Sequence, residues 1–339
     1  MLTRLGFDRL SGVYLWIAFI VVFGVMRPDT FLTSTTLHSI ASQQAIDGLI
    51  AIAVLVPLVC GQFDLSVGYN ANLCGITAII LQNQHGWPMW TAVLFGIAIG
   101  LAVGVVNAIV VVRLHVNSFI ATLGMGTILS AVQVIVTNSE QPPPARNLSY
   151  ANLTQHQVFG FQIVILYLLV VGVIAWWFLD HTPAGRYIRS TGANPDAARL
   201  SGVRVDRWTS VSLLVSGGIA GLGGVLYTSL TGPSLSFGPT LLLPAFAAAF
   251  LGSTQFFPGR FNVWGTLLAI YVLATGVKGM QLVSGQQWLN DMFNGVALIV
   301  AVAVAETRQR RAKGASLLVR RRRNRESLDE KAQEPVSAG

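Results

Sequence analysis

Ten apolar stretches recur along this chain, at 10–27, 45–60, 66–82, 89–112, 117–137, 161–179, 209–230, 240–254, 262–278 and 288–305, each 15 to 24 residues long. A bilayer core takes about 20 residues of α-helix to cross. Inside it every backbone N–H and C=O must be satisfied within the protein, so spanning segments are helices or closed barrels. Charged residues make up 11% of the chain, against about 25% in an ordinary soluble domain. The expectation is an all-α polytopic membrane protein of about ten transmembrane helices, some broken or re-entrant. A membrane domain covers 1–305 and a basic cytoplasmic tail, largely without fixed structure, covers 306–339. The first apolar run lacks a small-residue cleavage site after it and reads as a retained span.

Ten crossings put both termini on one side, and the charges say which. Nineteen of the 22 lysines and arginines fall on the N-terminal side, and only Arg27, Arg146 and Lys278 fall on the other. Cytoplasmic loops collect such an excess, so both termini and the loop 180–208 are read as cytoplasmic. The net charge of +8 is therefore a topology signal, not a nucleic-acid one. The Arg320–Arg323 run reads as lying against anionic lipid. Cys60 and Cys74 sit in apolar surroundings and read as small core residues.

Two places interrupt the apolar pattern. Ile46–Cys60 and Val67–Leu81 are short for spans and are separated by Gly61-Gln62-Phe63-Asp64-Leu65-Ser66. Leu241–Leu251 is shorter still and runs into the Gly/Pro-containing stretch Gly252–Gly265. Broken helices at membrane depth survive only where protein or a water-filled cavity covers them; charge counting leaves re-entrant hairpins open at both places. Asp64 is costly inside a span. It reads either as a cap, accepting from N–H groups two and three residues on, or as a group lining the translocation path or its cytoplasmic gate. Asp47 and Asp291 are weaker candidates, each close to a membrane surface.

The loop 180–208 holds Arg186, Arg189, Arg199, Arg204 and Arg207, and within it Asn194–Gly202 reads as a small helix: Asn194 suits the cap, Pro195 the first turn, Gly202 the position past the end. Two turns are marginal in water alone, so the helix is expected to dock, either on the membrane and the span ends or in a groove of a soluble partner through Ala197, Ala198 and Leu200. Glycines at Gly100 and Gly104 and at 217–224 suit close helix packing, within one chain or across a dimer seam.

No catalytic or metal-ligating constellation appears, and no Lys follows a Gly, so the chain has no phosphate-binding GxxxxGK[ST] loop. If ATP drives this protein, another subunit supplies the site.

Three segments together resemble the permease subunit of sugar-type bacterial ABC importers, the ribose/xylose/galactose-like class, over nearly all of 10–305. Gly61–Gly68 (GQFDLSVG) is similar to that family's G-x-x-D-L-S-V-G. Thr182-Pro183-Ala184-Gly185-Arg186 with Gly192-Ala193-Asn194, Ala197-Ala198 and Ser201-Gly202 is similar to its cytoplasmic loop. Asn117–Gly124 (NSFIATLG) is similar to its P-x-F-I-x-T-L-G segment. Asn117 replaces the usual Pro, and Pro258 and Arg260 stand where small residues of a Gly-rich turn are usual.

The resemblance implies a homodimer in the bacterial inner membrane, importing a monosaccharide or related small polar solute with no cofactor and no covalent chemistry of its own. A cytoplasmic ABC ATPase would dock on a coupling loop comprising Thr182, Gly185, Arg186, Gly192, Asn194, Ala197, Ala198, Leu200 and Gly202. Gly61, Asp64, Ser66, Gly68, Asn117 and Thr122 would form the pathway or gate. A periplasmic or lipid-anchored binding protein would deliver the solute. The competing reading is an ion-coupled secondary transporter or channel; the scarcity of charge within the spans argues against it.

Overall fold

The computed structural model describes residues 10–158, 160–286, 288–305 and 307. The expected tail over 306–339, apart from Thr307, lies outside them, as do Arg4 and Arg9. In chain order the helices are α1 (Ser11–Met26), α2 (Pro28–Phe31), α3 (Ser34–Val59), α4 (Val67–Asn83), α5 (Met89–Ala108, continued by a π-helical turn Ile109–Arg113), α6 (Ser118–Thr137), α7 (Leu148–Gln155), α8 (Val164–His181), α9 (Pro183–Ala193), α10 (Pro195–Leu200), α11 (Val205–Thr231), α12 (Phe237–Gly252), α13 (Val263–Ser284) and α14 (Trp288–Ala305). An antiparallel pair of two-residue strands, Gln157–Val158 and Phe161–Gln162, precedes α8.

Each of the ten apolar stretches coincides with one helix. Among the described residues, seven helices are long and apolar enough to cross a membrane: α3, α5, α6, α8, α11, α13 and α14. The other three, α1, α4 and α12, have 16, 17 and 16 residues.

The second stretch is corrected most. It was expected at 45–60, but α3 starts at Ser34 and runs for 26 residues. Thr33 caps it, accepting from Thr36 N at 3.2 Å, and the polar turns through Gln43 and Gln44 continue the helix that apolar counting misses. Its second half, Leu49–Val56, is wholly buried, as a helix apolar on all sides must be. The loop after α6 also holds a helix, α7, moored to α11. Tyr150 donates to Val225 O (3.0 Å), and Thr154 and Ser229 pair at 2.8 Å.

Around α3 and α4 the chain packs through small residues. A Cβ on Gly100 would lie 2.5 Å from Gly217 O, and one on Gly104 2.7 Å from Leu213 O, so α5 and α11 touch backbone to backbone. The glycine pairs thus serve packing within one chain. Asn70 of α4 completes the seam, donating to Gly100 O and Gly217 O at 3.3 and 3.4 Å.

The two breaks are versions of one device. Long α3 ends at Gly61 (φ +76°) and long α11 at Gly232 (φ +85°), left-handed conformations that glycine adopts without strain. Each is followed by a Leu-Ser-x-Gly run, Leu65–Gly68 and Leu235–Gly238, and then by a short helix. In one turn Ser66 N donates to Asp64 Oδ1 at 3.1 Å; in the other Ser236 N donates to Ser234 Oγ at 3.4 Å. The first turns of α4 and α12 meet glycine against glycine at Gly68 and Gly238. From there α4 runs to Asn83, which donates to Pro143 O and Pro144 O of the loop after α6, whereas α12 runs to Gly252, packed on Gly265 and Thr266 beside the loop after it. The two units are inverted with respect to each other. The break expected at 61–66 has its counterpart at 232–236, and the interruption expected at 252–265 is present as well, between α12 and α13.

Candidate functional site

The loop 180–208 is built from two helices, not one. Thr182 caps α9, accepting from Gly185 N at 3.2 Å, and Asn194 caps α10, accepting from Ala197 N at 3.1 Å. Pro183 and Pro195 each follow the cap, where a missing N–H costs nothing. Gly202 closes α10 at φ +82°. The expected apolar trio divides: Leu200 is 91% exposed and Ala197 is exposed, but Ala198 is 5% exposed and faces the protein. Ala198 therefore cannot contact a partner, and Leu200 is the apolar residue that α10 presents.

The five arginines also divide. Arg189 is half-buried, pairs with Asp180 and donates to Phe261 O at 3.0 Å, tying α9 to the stretch before α13. Burial pulls its guanidinium below the ordinary arginine range, opposed by the Asp180 charge. Arg199 pairs with Asp206 at 3.0 Å on the surface, and Arg207 lies over the Trp208 ring at 5.6 Å. Arg186 and Arg204 are exposed and make no ion pair among the described residues.

The loop and the Asp64 motif form one site. Gly192 of α9 lies on the turn that ends α3: a Cβ there would overlap Val59 O and come within 2.9 Å of Gly61 N. A Cβ on Gly61 would in turn lie 3.2 Å from Gly192 Cα. Asn117–Thr122 holds the other side of the same turn. Phe63 N donates to Ser118 Oγ at 3.1 Å and Leu65 N to Thr122 Oγ1 at 3.0 Å. Residues four apart share a helix face, which is why a Ser and a Thr at 118 and 122 can satisfy two N–H groups of one extended stretch. Asn117 caps α6 from outside, accepting from Phe119 N at 3.0 Å, the service that its replacement of Pro leaves to a side chain.

Asp64 is 1% exposed. Its Oδ1 accepts from Ser66 N and from Ser66 Oγ (2.6 Å), and its Oδ2 from Ser216 Oγ of α11 at 2.8 Å. Asn107 of α5 donates to Ser66 Oγ at 2.8 Å. The capping expectation is met by one N–H, two residues on; the other bonds join three helices. Ser216 lies eleven residues into α11, about 16 Å along its axis, so Asp64 is at membrane depth while Gly61 is beside the loop helices. Ser216 and Asn107 were not anticipated: a lone Ser or Asn in an apolar run has no spacing to betray it.

Pro258 and Arg260 are exposed, and the Arg260 charge lies close enough to oppose that of Arg189. The close crossing expected of that turn is made by Gly252 and Gly265, and Asn262 caps α13 through Gly265 N at 2.7 Å while donating to Gly252 O at 3.1 Å.

The sequence profile of the family described as branched-chain amino acid transport system / permease component matches residues 36–302, which takes in the Asp64 turn, the loop helices and α14. Among curated proteins, the chain is 26% identical over 301 residues to the D-allose transport system permease protein AlsC of Escherichia coli, covering 88% of this chain and 92% of that one. It is 28% identical over 297 residues to the ribose import permease protein RbsC of Escherichia coli, covering 86% and 91%. It is 28% identical over 297 residues to the autoinducer 2 import system permease protein LsrD of Klebsiella pneumoniae, covering 85% and 88%. With seven spanning helices and this match over most of its length, the chain is a multi-pass inner-membrane protein that belongs to the branched-chain amino acid transport system / permease component family.

Proposed function

We propose that this chain is the membrane subunit of an ATP-driven importer of monosaccharides or similar small polyhydroxylated solutes. It works as a homodimer with a cytoplasmic ABC ATPase and an external solute-binding protein, spans the membrane ten times and keeps both termini in the cytoplasm. Relatives named for allose, ribose, fructose and autoinducer 2 support the solute class over the amino acids of the family's description. The observation that carries the mechanism is the backbone contact of Gly192 with the Val59–Gly61 turn. The ATPase docks on α10 through Leu200 and the exposed Arg186 and Arg204. Its closure moves α9, and α9 bears directly on the turn whose far end is Asp64. The turn acts as the cytoplasmic gate; Gly61, Gly68, Ser66 and Thr122 serve it as packing and bonding groups. The permease itself has only to favour one of two states when the ATPase closes.

Substitution of Leu200 by Glu tests this without touching the core. The expected result is normal membrane levels, loss of co-purification with the ATPase, and ATP hydrolysis no longer tied to uptake. Full uptake by this variant, or uptake that survives ATP depletion while the proton gradient stands, overturns the proposal. The second outcome would favour an ion-coupled carrier, for which Asp47 and Lys278 inside their helices are the relevant groups.

A further inference from the structure

A polar cavity of about 190 Å³ lies between α3, α12, α13 and α14, away from the Asp64 turn. Gln44 and Asp47 enter it from α3, Lys278 and Gln281 from α13, Asn290 and Asn294 from α14. Asn294 lies six residues into α14, about 9 Å along the axis from the end nearest the outer loops, and Asp47 thirteen residues into α3, about 20 Å. The cavity therefore runs from the outer end to mid-membrane. Polar side chains at such depth are costly and mark solute paths, and eight converge here from four helices, Gln43 of α3 and Thr240 of α12 among them. Asp47 and Lys278 face the same space without pairing: among the described residues the ion pairs are Arg189–Asp180 and Arg199–Asp206. Gln44 hydrogen-bonds Asp47, and Asn294 donates to Asn290 at 2.8 Å.

We infer that this cavity is an entry subsite for an uncharged polyhydroxylated solute of monosaccharide size, an inference that rests on the importer reading above. A ring hydroxyl both donates and accepts. The cavity offers the Asp47 carboxyl, the Lys278 amine and amides, so it can both donate and accept. Ile270 and Leu273 give the apolar wall on which a sugar's C–H face rests. The volume is below the roughly 300–1,000 Å³ of drug-sized ligand sites, which suits one ring.

The test uses the full chain in lipid nanodiscs with Gln281→Cys as reporter, since Cys60 and Cys74 are buried, and D-ribose, D-allose, D-fructose and L-leucine as probes. One of the sugars is expected to protect the thiol from a small methanethiosulfonate, slowing labelling about threefold at about twice its dissociation constant. Added Asn290→Ala, at the exposed mouth, or Asn294→Leu should weaken that protection. Labelling of Leu200→Cys should be unaffected by sugar. No protection by any sugar, or protection by L-leucine alone, overturns the inference. So does ATP-driven sugar uptake whose half-saturation is unchanged in Asn290→Ala and Asn294→Leu, an outcome that leaves the importer reading standing. Absence of ATP-driven uptake in the unmodified chain is what would remove that reading.

Discussion

Asp64 is held by donors from two helices, and the value of each differs. Ser216 supplies the single bond to Oδ2. Removing one partner of a buried acceptor costs the desolvation of what is left behind, about 1–3 kcal/mol and more for a charged group. Ser216→Ala is therefore expected to lower the melting temperature of the purified protein clearly, and more than Asn117→Ala at an exposed cap. Equal melting of the two would show that Ser216 does not support the carboxylate. Gly185 and Ala198 invite similar substitutions, but both are buried, and a Cβ on Gly185 lies 2.5 Å from Phe178 O. Changes there read out folding before coupling, which is why Leu200 is the cleaner probe. At this scale the motif residues were legible because Gly, Asp and Asn stand out in apolar surroundings. Their partners Ser216 and Asn107 were not, since contacts between helices 152 and 41 residues apart leave no local spacing.

Among the elements, the inverted pair α3–α4 and α11–α12 organises the bundle, and α5 is fitted to α11 with glycine on both sides. Overpacking a tight seam costs about 1–3 kcal/mol, occasionally more. Gly217→Leu should separate α5 from α11, pull Gly100 O and Gly217 O out of reach of Asn70, and cut the yield of folded protein on size exclusion. A normal profile with wild-type melting would contradict the backbone-on-backbone crossing. The helices themselves were readable from apolar run length. What escaped was the start of α3, where a threonine cap and polar turns carry a helix beyond its apolar part, and the second break. The sequence signal for the break was present in the repeated Leu-Ser-x-Gly, but it is four residues long and becomes persuasive only once both copies follow a long helix and a glycine.

For the molecule as a whole, sidedness is the most exposed expectation. Gly61, Gly192, Ser118 and Phe261 gather at one end, whereas Asn83, Pro143, Gln141 and Pro233 gather at the other. A cysteine at Arg204 should react with an impermeant thiol reagent only in inside-out vesicles, and one at Glu140 only in intact spheroplasts. Labelling of both from one face would refute the ten-crossing topology. Charge skew carries this expectation because short loops next to spans keep their lysines and arginines on the cytoplasmic side. The polar cavity was invisible because its polar residues come from four helices whose mutual rotation no local pattern records, and Asp47 alone looked peripheral.

The meeting of Gly61 and Gly192 has a mechanical meaning. A contact made through long side chains is compliant, because rotamers give way before backbone does. Here backbone bears on backbone, in an interior of low compressibility, so a displacement of α9 has no soft joint in which to dissipate. The linkage is stiff in compression, whereas in tension it relies on side-chain packing such as that of Ile188, buried in the same core as Val59 and Cys60. In the proposed mechanism it therefore transmits a push from the loop helices better than a pull.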